Sequence, residues 1–303
     1  MKLLLTLPAA QNIAVRSVLS QCNLWTDRSA SLSHANALPL PGNPLSFFNP
    51  IYSLSGFVVG LLVGMTGVGG GSLMTPLLVL VFGIHPVTAV GTDLLYAASS
   101  KTVGTAVHGW AGTIDWRVVG LLGAGSLPAT LATIAWLAWL GKPSPYFAHI
   151  VSFVLGIALL LTALCMLFRT RLLAFAAKRW GEPTPRAAAI LTILTGALLG
   201  LFVTLSSVGA GAIGVTVLML LYPRMKVSRI IGSDIAHSVP LAFIAGFGHW
   251  LNGTVNWPLF LSLTIGSIPG IIGGSLIAAR MSDSWLRPAL ACVLLLVGAK
   301  LVF

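Results

Sequence analysis

The sequence predicts an all-α, polytopic membrane protein of two homologous halves in inverted topology, each a broken glycine-turn helical hairpin plus three transmembrane helices. Three observations lead there. Of 303 residues, 56% are hydrophobic and 8% charged, against the roughly 45–50% and 25% of a soluble domain. The apolar residues fall in blocks of roughly 15 to 25, the length a helix needs to cross a hydrocarbon core about 30 Å thick, and not in the ten-residue alternating segments of a β-barrel. The blocks also repeat: VGGGSLMTPLLVLVF at Val68 to Phe82 matches VGAGAIGVTVLMLLY at Val208 to Tyr222.

The match stays in register beyond that stretch. After one extra residue in the second copy, GTDLL at Gly91 matches GSDIA at Gly232, His108 matches His249, GTIDW at Gly112 matches GTVNW at Gly253, and GSLP at Gly125 matches GSIP at Gly266. Chance does not keep five motifs in order, so the chain is a tandem of two related units.

Residues 1–45 begin with a short leucine run that Gln11, Asn12 and Arg16 interrupt. They read as a mobile or partly interfacial leader, with a cleaved signal as the alternative. The first transmembrane repeat occupies 46–168. Its apolar run over about 51–66 meets the glycine turn GVGGGS, and a second run ends at Phe82; spans over about 87–109, 117–140 and 147–168 follow. A basic linker, 169–186, carries Arg169, Arg171, Lys178, Arg179 and Arg186. The second repeat, 187–303, has the same parts: a run over about 188–205, the turn SVGAGA, a run ending at Tyr222, and spans over about 230–250, 258–279 and 286–303. Neither arm of either hairpin is expected to span alone.

Charge sets the orientation. The net charge of +11 is concentrated in the 169–186 linker and in a short loop with Arg224, Lys226 and Arg229, the cytoplasmic lysine and arginine excess of a membrane protein and not a nucleic-acid surface. Both segments flank the second hairpin, so it enters and leaves on one side. Adding three spans gives each half an odd number of crossings, which inverts one half relative to the other and puts both chain ends outside a multi-pass protein of the cell's inner membrane. Cys22, Cys165 and Cys292 lack metal-ligand or disulfide spacing.

These motifs, GVGGGSLMTPLL, GTDLL and HGWAGTIDW with their echoes in the second half, resemble the sulfite exporter TauE/SafE family of membrane permeases over residues 51–303. The resemblance implies secondary transport of a small sulfur-containing or organic anion, usually export, without a bound cofactor. Thr216 stands where the first copy has Pro76, a departure from the pattern.

The residues themselves point to anion chemistry. A glycine turn at membrane depth exposes backbone amides, and the helix starting after it aims its positive N-terminus at the turn. The expected substrate-binding set is therefore Thr66, Gly69, Gly70, Gly71 and Ser72 in the first turn, Ser206, Ser207, Gly209 and Gly211 in the second, and Lys101, with the turns meeting near the midplane. The alternative is close helix packing, the role expected for Gly56, Gly60 and Gly64 and for Gly266, Gly270 and Gly274.

Intramembrane ionisable residues come next. Asp93 and Asp234 occupy equivalent positions and are candidates for proton coupling or for supporting the neighbouring hairpin; His237 is a candidate relay. At about 100° per residue, Asp93, Lys101 and His108 share roughly an 80° arc. Ala242 replaces Lys101 in the second copy, so the site is expected to be asymmetric. His108 and His249, at the ends of their spans, read as interfacial, and Trp110, Trp116, Trp250 and Trp257 as an aromatic belt.

No Walker sequence, HExxH, GxSxG or cysteine-histidine metal spacing occurs, so no enzyme, metal or cofactor is expected. The expected partners are a small anion, the bilayer and protons as coupling ion, with homo-oligomerisation left open. A passive anion channel and an assembly factor without transport are the rival readings.

Overall fold

A computed structural model describes residues 49–66, 71–140, 145–179, 183–278 and 283–302. The 1–45 leader lies outside them, as do Gly69 and Gly70; Thr66, Gly71 and Ser72 are described by their backbone only. The described residues form α1 (Pro50–Thr66), α2 (Gly71–Leu80), α3 (Pro86–Trp110), α4 (Trp116–Leu140), α5 (Pro145–Arg179), α6 (Pro185–Ser206), α7 (Ala212–Leu221), α8 (Val227–Leu251), α9 (Trp257–Ala278) and α10 (Asp283–Val302). Trp116–Leu140, Ala148–Ala176, Pro185–Ser206, Val227–Leu251 and Trp257–Gly274 are each long and apolar enough to cross a membrane. At 25 residues α3 is equally long, but Thr92, Asp93, Ser99, Ser100, Lys101 and Thr102 make it the most polar of the long helices.

Two lengths depart from expectation. Thr184 caps α6, its hydroxyl accepting the Ala187 amide at 3.3 Å, and Pro185 supplies the first-turn backbone angle. The helix therefore starts early, and at 22 residues, roughly 33 Å, this arm of the second hairpin is long enough to span by itself. The short arms are α1 with 17 residues and α2 and α7 with 10 each. In α5 the helix continues past 168 to Arg179, because no glycine or proline interrupts residues 169–179. Arg169, Arg171, Lys178 and Arg179 thus lie on a helical extension.

Glycines fix how the helices meet. A Cβ on Gly56 would strike the Leu263 carbonyl, one on Gly60 would lie 2.6 Å from the Ser267 carbonyl, and Gly266, Gly270 and Gly274 abut the carbonyls of Ser53, Phe57 and Leu61. Numbers rise together along both chains, so α1 and α9 are parallel and in backbone contact. Gly196 and Gly200 against Leu122 and Ser126 make the same contact between α6 and α4. Between α3 and α8 the numbers run oppositely: Gly91 meets His249, Gly246 meets Leu95, Gly104 meets Ile235 and Gly232 meets His108. These sequence-equivalent helices are antiparallel. Gly156 and Gly298 bring α5 and α10 together, also antiparallel.

The outer faces are apolar, with Leu131, Leu194, Leu198, Ile265, Ile272 and Leu296 all exposed, as lipid contact requires. Phe243, Phe247, Trp250, Trp257 and Phe260 form a continuous aromatic row at the α8–α9 corner.

Candidate functional site

The duplicated motifs build two clasps, one at each end of the α3/α8 pair. In the first, Gly91 leaves room for His249 and Thr254, and the next hydroxyl, Thr92, accepts the Asn256 amide at 3.0 Å. In the second, Gly232 leaves room for Thr113 and His108, and Ser233 accepts the Asp115 amide at 2.8 Å. Asp115 then accepts the Arg117 and Val118 amides at the start of α4, and Asn256 the Leu259 amide at the start of α9, so both are helix N-caps. His108 and His249 bond Thr113 and Thr254 at 2.8 and 3.0 Å. His249 is buried and also bonds the Thr204 carbonyl at 2.9 Å, so its ring faces neighbouring helices.

Between the clasps lies the polar seam. Asp93, wholly buried, accepts a hydrogen bond from Thr75 of α2, and its second oxygen has no partner although the Ser207 hydroxyl, itself without a partner of hydrogen-bond geometry, lies beside it. Asp234 is equally buried. Its carboxylate presses on Gly214, where a Cβ would collide with it, and faces the Gly211 amide. The aspartate thus sits at the N-terminal end of α7, where a negative charge is favoured. His237 bonds Ser126 of α4 through Nε2 at 2.8 Å and leaves Nδ1 unpartnered.

Lys101 lies between the aspartates. Along α3 it is eight residues from Asp93, roughly 12 Å, and its electrostatic partners are Asp234 and then Asp93. Among the described residues nothing within hydrogen-bond or ion-pair distance ties it down. Its equivalent, Ala242, is packed with Val90, Leu94, Ala98 and Val203, so one side of the α3/α8 pair is apolar and the other carries the lysine.

The second glycine turn runs along this seam. Ser207 is left-handed (φ 58°) and closes α6 by donating its amide to Val203, while Gly209 (φ 120°) and Gly211 (φ 119°) adopt angles that only glycine takes readily. Ser207 meets Asp93 at one end of the turn, and Gly211 and Gly214 meet Asp234 at the other. Ser206, expected to donate to a ligand, is occupied: its hydroxyl donates to the Phe202 carbonyl at 2.6 Å and accepts the Val208 amide at 3.2 Å.

Sequence reasoning missed Thr75, Ser126 and the clasp hydroxyls Thr92 and Ser233. The clasps did leave a trace: both copies place a hydroxyl after the glycine and Asp or Asn before the tryptophan. Beyond the second clasp a cavity of about 520 Å³ opens, lined by Asp115, Arg117, Pro183, Pro185, Arg224 and Arg229 among others. No group of three or more metal-ligating side chains occurs among the described residues.

Residues 52–301 match the family described as Sulfite exporter TauE/SafE. The chain is 38% identical over 250 residues, 82% of its own length and 98% of the other, to a Bacillus subtilis protein named "Probable membrane transporter protein YjnA". It is 28% identical over 234 residues (76% and 85%) to a "Probable membrane transporter protein" of Xylella fastidiosa. A Methanocaldococcus jannaschii protein of like name is 24% identical over 267 residues (82% and 93%). No solved structure matches.

Proposed function

The chain belongs to the sulfite exporter TauE/SafE family of multi-pass membrane transporters, and from that premise we propose that it is a secondary transporter exporting a small anion, such as sulfite, an organosulfonate or a carboxylate, through the α3/α8 seam. The observation that carries this reading is Lys101. An ammonium this deep in a span is expensive, and among the described residues it has no contact-distance partner while two carboxylates flank it. An anion at Lys101 satisfies the cation and meets Ser207 and the Gly209–Gly211 backbone. Thr66, Gly69, Gly70, Gly71 and Ser72 are assigned the matching place in the first half.

The antiparallel α3/α8 and α5/α10 pairs support the inverted arrangement of the halves, which lets one site face either side. The basic 520 Å³ cavity supports export: positive charge belongs on the cytoplasmic face, and there it raises the local anion concentration at the mouth.

Efflux of sulfite, sulfoacetate, thiosulfate and small carboxylates from proteoliposomes tests the reading. Saturable efflux of at least one, lost in Lys101→Ala protein that still inserts, is expected. Flux that never saturates points to a channel, and no protein-dependent flux of any anion overturns the proposal.

A further inference from the structure

Among the described residues the seam holds two carboxylates and one ammonium, a count that fixes what must travel with the substrate. Facing it are Asp93, Tyr96 and Lys101 on α3 and Asp234 and His237 on α8; α4 adds the Ser126 hydroxyl, α2 Thr75, and the second turn Ser207. The sequences of α2, α7 and α9 contain no charged residue, and in α6 only Arg186, in its first turn, is charged. Along α5, His149 is exposed and the basic residues begin at Arg169.

Net charge in a water-poor interior is costly, so the seam is most stable when its charges cancel. With both aspartates ionised and Lys101 charged, the total is one negative charge; one carboxyl proton brings it to zero. A bound monoanion restores the negative charge, and a second carboxyl proton removes it. A cation at His237 would sit beside the Lys101 ammonium, and among the described residues no carboxylate bonds the ring, whose Nε2 is with Ser126 and whose Nδ1 has no partner, so the imidazole is counted as neutral.

Resting on the transport reading above, we infer that Asp93 and Asp234 form a two-carboxyl proton store around Lys101, and that each monoanion crosses with one proton as an electroneutral pair. The empty carrier returns with one carboxyl protonated, and the loaded carrier crosses with both. The atoms balance: one proton enters with the anion on one side and leaves with it on the other, without oxidant or reductant. Export then follows the combined anion and proton gradients and draws nothing from the membrane potential.

The two-carboxyl store makes an unusual demand on its variants. In Asp234→Asn or Asp93→Asn the empty site is neutral with the remaining carboxylate ionised, and a bound anion still requires one proton, so coupling survives either substitution. In the double variant no carboxyl remains, and the anion crosses alone against an unpaired Lys101 charge on the return.

The test uses the full chain in proteoliposomes with sulfite, at a pH where its monoanion prevails, an internal pH dye, and potassium gradients with valinomycin to set the potential. Empty liposomes and Lys101→Ala protein give the background. The expected results are one proton per anion and flux unchanged by potential in the wild type, the same stoichiometry in each single variant, and potential-driven flux without proton movement in the double variant. Potential-driven wild-type flux, or loss of proton movement in either active single variant, overturns this inference and leaves anion transport standing. The wild-type measurement decides the matter should the double variant not fold. Absence of protein-dependent flux for sulfite, sulfoacetate, thiosulfate and acetate overturns both.

Discussion

The hydroxyl of Ser233 accepts the backbone amide of Asp115 across the α8–α4 corner at 2.8 Å, and the chain repeats this bond between Thr92 and Asn256 at 3.0 Å. Each bond joins one half to the other, and the glycine before each hydroxyl permits it. Gly232→Ala brings a Cβ to 2.5 Å from the Thr113 carbonyl and 3.0 Å from His108, neither of which moves without opening the clasp. We expect a loss of about 1–3 kcal/mol, read as a lower melting temperature in detergent. Gly120→Ala, with nothing within 4 Å, is the control and should leave melting unchanged.

Removing the hydroxyl and keeping the glycine isolates the bond. Ser233→Ala leaves the Asp115 amide without its acceptor, a cost of about 1–3 kcal/mol if water cannot reach it. Ser233→Thr, which retains the oxygen as Thr92 does in the first copy, should restore most of the stability. Equal melting temperatures for Ser233→Ala and wild type would show that the clasp is not held by this bond.

Gly214 separates α7 from Asp234. A methyl there collides with the carboxylate, so Gly214→Ala displaces Asp234 from the α7 N-terminus, and we expect it to settle nearer Lys101, the cation it interacts with. A closer carboxylate competes with the substrate for the ammonium. The expected outcome is an apparent KM raised about tenfold or more, since a buried charge pair that must be broken for binding costs on the order of 1.4 kcal/mol or above. Asp234→Asn combined with Gly214→Ala should relieve that competition. Substrate affinity unchanged in Gly214→Ala would separate Asp234 from the binding step.

The fold class and the order of helices were legible because apolar length and repetition are written directly in the sequence. Starts and stops were less so: the early start of α6 depends on Thr184 and Pro185, and the run of α5 to Arg179 on the absence of any breaker. Lys101 and both aspartates were recognisable as costly residues in spans. The partners of Asp93 and of His237 were not, because Thr75 and Ser207, beside Asp93, and Ser126, bonded to His237, come from three other elements and look like ordinary small polar residues of membrane helices. Nor does any periodicity distinguish Ser206, consumed by its own turn, from Ser207, which faces Asp93.

The basic cavity should act on capture and not on the crossing itself. Arg117 and Arg229 line it beside the Asp115 clasp, at the His108 end of α3, seven residues or roughly 10 Å beyond Lys101 along that helix. Arg117→Ala and Arg229→Ala should each raise KM for the anion two- to fivefold with little change in kcat, because exposed charges contribute roughly 0.5–1 kcal/mol to attraction and are screened by salt. The difference from wild type should shrink as ionic strength rises. A lowered kcat with unchanged KM would move these arginines from the mouth to the transport step.

The membrane orientation rests on a contact as well as on charge. Pro183 and Pro185, which follow the basic extension of α5, line the same cavity as Pro223, Arg224 and Arg229, so the two basic segments must emerge on one face whatever that face is. The lysine and arginine excess makes it the cytoplasmic face. From the parity of the crossings, the end of α10 then lies on the opposite face. In a background lacking Cys22, Cys165 and Cys292, Lys178→Cys and Lys226→Cys should react with an impermeant maleimide only after cells are opened, whereas a cysteine appended after Phe303 should react in intact cells. Labelling of Lys178→Cys and Lys226→Cys from opposite faces would contradict the shared cavity and remove the hairpin. Labelling of all three positions from one face would keep the hairpin but leave the halves with an even number of crossings, so that they could not be inverted and the seam could not serve both sides by exchanging the roles of the two repeats.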